Sequence, residues 1–343
     1  MRKNKRGRDI DVKNENRGRR ECFPRFFAQK AMDTTLSIPF SLWYINVTIR
    51  VKPERPVTPA RIKRLKSCLD HLAEDYGSSF LDSDPVGIVH GYSGDTDREV
   101  AALVASSLAY GGASQIRASV RAALEPAGDS PARFARSLTP ETAVGIFRTF
   151  KHRWTGGGDL AFLLWSAGRI IDEYGSIGAL VSSLDDPAEA TIEGVMTRFS
   201  EHLLSRHDKR FSVGGARNGI SYLVPSPAGG SACKRLAMFF RWMVRGPDGV
   251  DFGLWRFIDP ARLVVPVDRH IARMGALLGM TARRSADWRM ALDITACLRR
   301  LDPRDPVRYD FALVRPGILR ECTSGGRGDC SSCNLRTVCG EAT

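Results

Sequence analysis

An all-α protein is what this sequence predicts, and three observations predict it. From residue 58 onward apolar residues recur at three- and four-residue intervals, the spacing that lines one face of a helix. Short Gly-, Pro- and Asp-rich stretches separate these segments. Alternation of apolar and polar residues, the mark of a half-buried strand, runs beyond a few residues only over Leu42–Val51. Taken in order, Thr58 caps a helix over about 60–75 with Ile62, Leu65, Leu69 and Leu72 on one face. Val100, Leu103, Val104 and Leu108 mark the next, stopped by Gly111-Gly112. Further helices are expected over 113–125, 140–152, 159–174, 187–205, 231–245, 269–279, 285–300 and 305–314. No internal repeat accompanies them, which argues against a solenoid.

The chain has 343 residues, 43% hydrophobic and 26% charged, enough for one large or two medium domains with a real core. No apolar run reaches the roughly 18 residues of a membrane span. The nearest, Ile38 to Val51, is shorter and contains Asn46, Thr48 and Arg50, so no membrane partner is expected. The basic stretch before it is too long and polar for a secretory n-region, which implies a cytoplasmic protein. Net charge is +13, but residues 1–66 carry 18 basic against 6 acidic groups, leaving the remainder nearly balanced. Residues 1–30 lack apolar periodicity and read as disordered, either a nucleic-acid-binding arm or a leader upstream of the natural start, with Met32 and Val51 as later starts. Pro53, Pro56 and Pro59 complete a leader and linker over 1–57. Beyond it, residues 67–197 have 9 basic and 18 acidic groups, whereas 198–245 have 9 and 2. That central basic stretch is the charge signal that suits a polyanionic partner.

Four of the eight cysteines close the chain as Cys322-x7-Cys330-x2-Cys333-x5-Cys339. In a cytoplasmic protein such a cluster reads as a thiolate metal site rather than a disulfide framework. One C-x2-C flanked by longer arms leans toward a [4Fe–4S] cluster, with Zn the alternative. Cys22, Cys68, Cys233 and Cys297 are scattered and read as free or buried thiols. The segment PGILRECTSGGRGDCSSCNLRTVC resembles the Fe–S loop of endonuclease III and adenine DNA glycosylase, members of the helix-hairpin-helix glycosylase superfamily. It departs from them in a first gap one residue longer and in Asn334 where the adenine glycosylases have proline. The resemblance implies a structural cluster that presents basic residues, here Arg320, Arg327 and Arg336, to DNA phosphates.

Upstream, Val264-Val265-Pro266-Val267-Asp268-Arg269-His270 opens a helix at an aspartate. Read alone, Asp268 is an N-cap whose carboxylate accepts orphan backbone N–H groups at the positive end of the helix dipole. The same string resembles the V-D-x-H segment of the superfamily, which implies that Asp268 is the catalytic carboxylate and leaves His270 and Arg273 in packing and supporting roles. Capping and catalysis are compatible. In the superfamily a hairpin with a Gly-x-Gly turn donates backbone N–H groups to a phosphate and begins a helix that in some members carries a Schiff-base lysine. The stretch here is Leu223-Val224-Pro225-Ser226-Pro227-Ala228-Gly229-Gly230-Ser231-Ala232-Cys233-Lys234-Arg235-Leu236, with Ser231 as helix cap. Its glycines are adjacent rather than alternating, and Gly246–Pro260 is an apparent insertion between Lys234 and Asp268. Lys234 reads first as a solvated or phosphate-contacting lysine and second as a nucleophile. Helical spacing sets Lys234, Arg241 and Arg245 on one stripe, expected to face phosphate, and Leu236, Phe239, Phe240 and Met243 on another, expected to face the core.

DSDPVGIVHGY, DREVAALVASSLAYGG, SACKRLAMFFRWMVR, VDFGLW and DPVRYDFAL together resemble an uncharacterised bacterial family within that superfamily, over roughly residues 60–343. The resemblance implies a two-lobed helical fold, with 58–96 plus 262–343 building the lobe that carries the cysteines and 97–261 a helical lobe with the hairpin. It implies a monomeric, nucleoid-associated DNA-repair N-glycosylase acting on a flipped base in double-stranded DNA. Asp268 and Lys234 are then catalytic, with AP-lyase activity if Lys234 reaches the sugar, and Gly229, Gly230, Ser231, Arg235, Arg241 and Arg245 contact DNA. The alternatives are a catalytically inactive nucleic-acid-binding protein of the same fold and an Fe–S protein with a redox or sensing role.

Overall fold

A computed structural model describes residues 58–76, 78–212, 219–319, 322, 330–331 and 333–339, all within one compact unit spanning 46–343. The expected leader, the Leu42–Val51 strand, Cys22, Arg320 and Arg327 lie outside the described residues. The structure is 62% helix and 2% strand, an all-α protein.

Helix α1 (Pro59–Asp75) starts where Thr58 Oγ1 accepts from the Arg61 N–H at 3.3 Å and Pro59 supplies a residue that needs no donor. It buries Leu65, Leu69 and Leu72. After α2 (Val86–Val89), α3 (Asp95–Ser107) is buried along most of its length, including Glu99. Helix α4 (Ala113–Leu124) leads to α5 (Pro131–Ser137) and α6 (Pro140–Phe147), short helices opened by Ser130 and Thr139 caps, each followed by proline. The expected helix over 140–152 ends early because Lys151–His152 (β1) turns back and pairs antiparallel with Thr155–Gly156 (β2).

The central helix α7 (Gly157–Tyr174) is nearly all buried, and α5, α6 and α8 (Ile177–Leu184) pack around it. Gly168 makes the α5 contact feasible, since a Cβ there would collide with the Ala135 carbonyl. Beyond α9 (Glu193–Ser205), a short α10 (Gly219–Leu223), an exposed turn and α11 (Lys234–Val244) follow. Leu236, Phe239, Phe240 and Met243 are buried as their spacing predicts. The segment 246–260 folds back on α11 and inserts Trp255 against Phe239 and Phe240. Trp255 Nε1 donates to Glu99 Oε1 at 2.7 Å, and Glu99 also accepts from Ile177 and Gly178 N–H at the start of α8.

Helices α12 (Arg269–Leu277), α13 (Trp288–Arg299) and α14 (Asp310–Ile318) follow, with Asp268 and Asp287 capping the first two. Helix α1 packs on the start of α14 and on the 333–339 turn: Tyr309 donates to Asp70 at 2.7 Å, Asn334 donates to Asp75 at 2.6 Å, and Cys68 Sγ lies 3.5 Å from Thr337 Oγ1. Among the described residues no helix is long and apolar enough to cross a membrane.

Candidate functional site

A cavity of about 430 Å³ lies between α11, α12 and α14, closed by Ser83–Pro85 and by the Ala109–Ala113 turn. Its volume falls in the range of small-ligand sites. Lys234, the first residue of α11, and Asp268, at the mouth of α12, meet in it with Nζ 3.3 Å from Oδ2 and side chains 29% and 21% exposed. The N-cap expectation holds for Asp268. Its Oδ1 accepts from the His270 and Ile271 N–H groups at 2.8 and 3.0 Å, which leaves Oδ2 to face the lysine. Burial pushes this carboxyl up, but Lys234 beside it and the two helix N–H groups outweigh burial and hold it below the usual carboxylate range. Lys234 also reaches the Ala109 carbonyl at 3.5 Å. The residue before it, Cys233, is in the left-handed region at φ 47° and is the N-cap of α11, so the lysine projects from a tightly constrained helix start.

His270 lines the same cavity. Burial depresses its imidazole below the ordinary value, Asp268 pulling only part of the way back, so it is neutral at pH 7. Arg269 donates to its Nε2 at 3.3 Å, and its Nδ1 lies against Gly317. Arg273 points away, donating to the Cys322 carbonyl at 2.6 Å and tying α12 to the cysteine segment.

The arginines of α11 overturn an expectation. Arg241 is 3% exposed, with its guanidinium 3.0 Å from Asp251 and 2.7 Å from Asp310. Arg245 pairs with Asp251 and Asp305, both at 2.8 Å, and with Asp248. Arg235 is buried between Tyr110 and Tyr222, 5.0 and 4.0 Å from the ring centroids, and donates to the Tyr222 carbonyl. None of the three is a phosphate-facing side chain. Arg241 and Arg245 do share one stripe of α11 with Lys234, but acids from 246–260, Asp305 and Asp310 cover the two arginines. Ser231 is not the helix cap either: its hydroxyl accepts from Cys233 N–H at 3.3 Å, and its backbone bridges to Asp287.

Gly229 and Gly230 are exposed in the turn between α10 and α11, with Gly230 at φ 74°. Their N–H groups donate to Ser226 and Pro227 carbonyls at 3.1 and 2.8 Å, so these amides are engaged inside the turn rather than aimed at an incoming phosphate.

Asp310 and Arg315 of α14 form the far wall of the cavity. Asp310 opens α14 with one oxygen on Arg241, and Arg315, 1% exposed, pairs with Asp84 at 2.8 Å. Burial drives the Asp310 carboxyl up, Arg241 pulls it down, and Asp268 and Asp251 push it up again, to about 6. In the sequence, its signal is an acid at the head of the apolar run Phe311–Val314.

No disulfide joins the described cysteines. Residues 333–339 form a tight turn, with Arg336 N–H on the Cys333 carbonyl and Cys339 N–H on that of Leu335, over buried Leu335 and Val338. Burial raises the Cys322 thiol, and Cys339 and Cys333 are near enough to raise it further. Cys330 is exposed. Among the described residues no group of three or more His, Cys, Asp or Glu side chains is gathered as a metal site.

No curated protein and no solved structure matches the chain. A family model described as a protein of unknown function (DUF2400) matches residues 84–319. The matched span holds Lys234, Asp268, Asp310, Arg315 and Asp84, and it stops before the four terminal cysteines. Because the match takes in well over half of the sequence, the chain belongs to the DUF2400 family.

Proposed function

We propose that this protein is a DNA N-glycosylase of the two-lobed helix-hairpin-helix type, acting on a damaged or mismatched base flipped out of double-stranded DNA. The observation that carries the reading is the Lys234–Asp268 pair, 3.3 Å apart and facing a ligand-sized cavity. A carboxylate pinned through one oxygen and free at the other suits the positive charge that develops on a sugar as its C1′–N bond lengthens. With water as nucleophile, Asp268 takes the water proton and the base departs. With Lys234 as nucleophile, the amine first loses its proton to Asp268, attacks C1′ and displaces the base, and the linkage becomes a Schiff base as the sugar ring opens. β-Elimination then cleaves the strand on the 3′ side, and hydrolysis frees the lysine.

Cys322, Cys330, Cys333 and Cys339, none of them in a disulfide, offer a soft all-thiol donor set suited to a [4Fe–4S] cluster, or to Zn as the alternative. The group would cross-link the C-terminal segment, which Arg273 already joins to α12. Protein purified anaerobically should be brown and contain iron; colourless protein containing zinc would reject the cluster. The protein is expected to act as a monomer associated with the nucleoid.

Purified protein incubated with a panel of lesion-bearing duplexes tests the activity. Release of a base by the wild type, lost in Asp268→Asn, is expected; no release from any duplex rejects the reading. Borohydride trapping on an abasic site tests Lys234 separately, and trapping that survives Lys234→Ala excludes it as the nucleophile. A second reading, a catalytically inactive nucleic-acid-binding protein of the same fold, is favoured by the irregular hairpin, whose adjacent Gly229 and Gly230 keep their N–H groups inside the turn. It predicts salt-sensitive duplex binding without turnover.

A further inference from the structure

The cavity holds a second carboxylate that the glycosylase reading does not use. Asp310 enters from α14, is 5% exposed, and accepts from Arg241 through Oδ2 at 2.7 Å; its Oδ1 has no hydrogen bond to a described residue. We infer that Asp310 is the proton donor to the departing base, the partner of Asp268 in a two-carboxylate site. This rests on the glycosylase reading and deepens it.

The case is made by what else faces the cavity. A base leaving with the bonding electron pair needs a proton at one of its ring atoms. Asp268 is held ionised by Lys234 and the helix N–H groups and has none to give. Arg241, Arg269 and Arg315 do not surrender protons at working pH, and the Lys234 ammonium is held in its ion pair with Asp268 at 3.3 Å. His270 has Nε2 occupied as an acceptor from Arg269 and Nδ1 against Gly317. Asp310 sits among Arg241 from α11, Arg315 on its own helix, Asp268 at α12 and Asp251 from the 246–260 segment. Burial and the two neighbouring aspartates outweigh Arg241 and bring its titration to about 6. Two carboxylates in one cavity, one held ionised and one able to carry a proton, is the division of labour that acid–base cleavage requires.

The step balances. The C1′–N electron pair passes to the base as Asp310 delivers its proton to it; a water oxygen bonds to C1′ and gives its proton to Asp268; solvent then returns a proton from Asp268 to Asp310. One water is consumed, and the free base and a sugar hydroxyl are formed.

The test is the pH dependence of single-turnover base release by the intact protein, on whichever duplexes of the lesion panel it processes. Wild-type rates should fall as pH rises through about 6. Asp310→Asn should lower the rate by roughly 10²–10⁴-fold, typical of a lost general acid, and abolish that limb. The loss should grow across substrates with the basicity of the departing base. Asp310→Glu should restore much of the rate with the limb displaced. If Asp310→Asn does not fold, judged by its far-UV melt, the displaced limb of Asp310→Glu carries the test. An Asp310→Asn protein with the wild-type pH profile, or an Asp310→Glu limb that does not move, overturns the assignment while leaving the glycosylase reading intact. A wild-type protein that releases no base overturns both.

Discussion

Replacing Arg241 with methionine strands a carboxyl group inside the protein. The arginine side chain is 4% exposed and lies between Asp251, fully enclosed, and Asp310, 7% exposed. The two carboxylates do not suffer equally. Asp251 keeps Arg245 at 2.8 Å, whereas Asp310 loses the guanidinium at 2.7 Å, and Arg315 nearby is already paired with Asp84. Without Arg241 the Asp310 carboxyl, already raised to about 6, moves further up and takes a proton at pH 7, so the loss is that of an unpaired buried polar group, about 1–3 kcal/mol. Methionine fills much of the vacated volume, so little of the loss arises from a cavity. Guanidinium unfolding at pH 7 should therefore show a midpoint lowered in proportion, with the slope unchanged. Since burying apolar groups in place of an ion pair is often neutral, Arg241→Met with Asp310→Leu should recover about 1 kcal/mol or more of that loss. A single variant that loses less than about 1 kcal/mol yet binds duplex DNA more weakly would refute the reasoning, for Arg241 would then be a surface cation facing phosphate.

Other outcomes follow from the same geometry. Glu99→Leu strands three buried donors, Trp255 Nε1 and the Ile177 and Gly178 N–H groups, and should cost at least about 3 kcal/mol, with Glu99→Gln losing less, by the same unfolding assay. Gly230→Ala should cost about 1–2 kcal/mol, because φ is 74° although nothing crowds the added methyl; Gly229→Ala, free of that conformation, should be close to neutral. Asp268 titrates below its ordinary value when folded, so its contribution to stability is complete above the unfolded value near 4 and is lost as pH falls through the folded one. The gap in unfolding midpoint between wild type and Asp268→Asn should accordingly close as the solution is acidified; a gap that widens would contradict the assigned shift.

Where a residue's fate depends on its own segment, the sequence was enough. Thr58 with Pro59, and Asp268 before an apolar-faced run, state a helix start locally, and both starts were expected within a residue or two. Short helices were harder. Pro131–Ser137 and Ile177–Leu184 span too few turns for apolar spacing to stand out, and Ser130 and Ser176 read equally as loop residues until their hydroxyls are seen accepting N–H groups. The candidate site divides the same way. Asp268 was legible because capping is local, whereas the encounter of Lys234 with it depends on how 246–260 returns. The fate of Arg241 and Arg245 was illegible for that reason: periodicity assigns them a shared face but cannot say that Asp248, Asp251, Asp305 and Asp310 will arrive to cover it.

The acids that cover α11 also alter what ionic strength can do to this protein. Three phosphate-contacting arginines would each displace condensed cations from DNA and together steepen the dependence of log affinity on log salt by about 2.7. Arg235, Arg241 and Arg245 hold their partners internally, so binding a polyanion frees no counterions on their account. The charges of Arg241 and Arg245, neutralised by buried acids, are therefore electrostatically silent at a distance. A duplex approaching this surface would meet a far weaker field than the residue count implies, and its retention would depend on shape and on the cavity more than on charge.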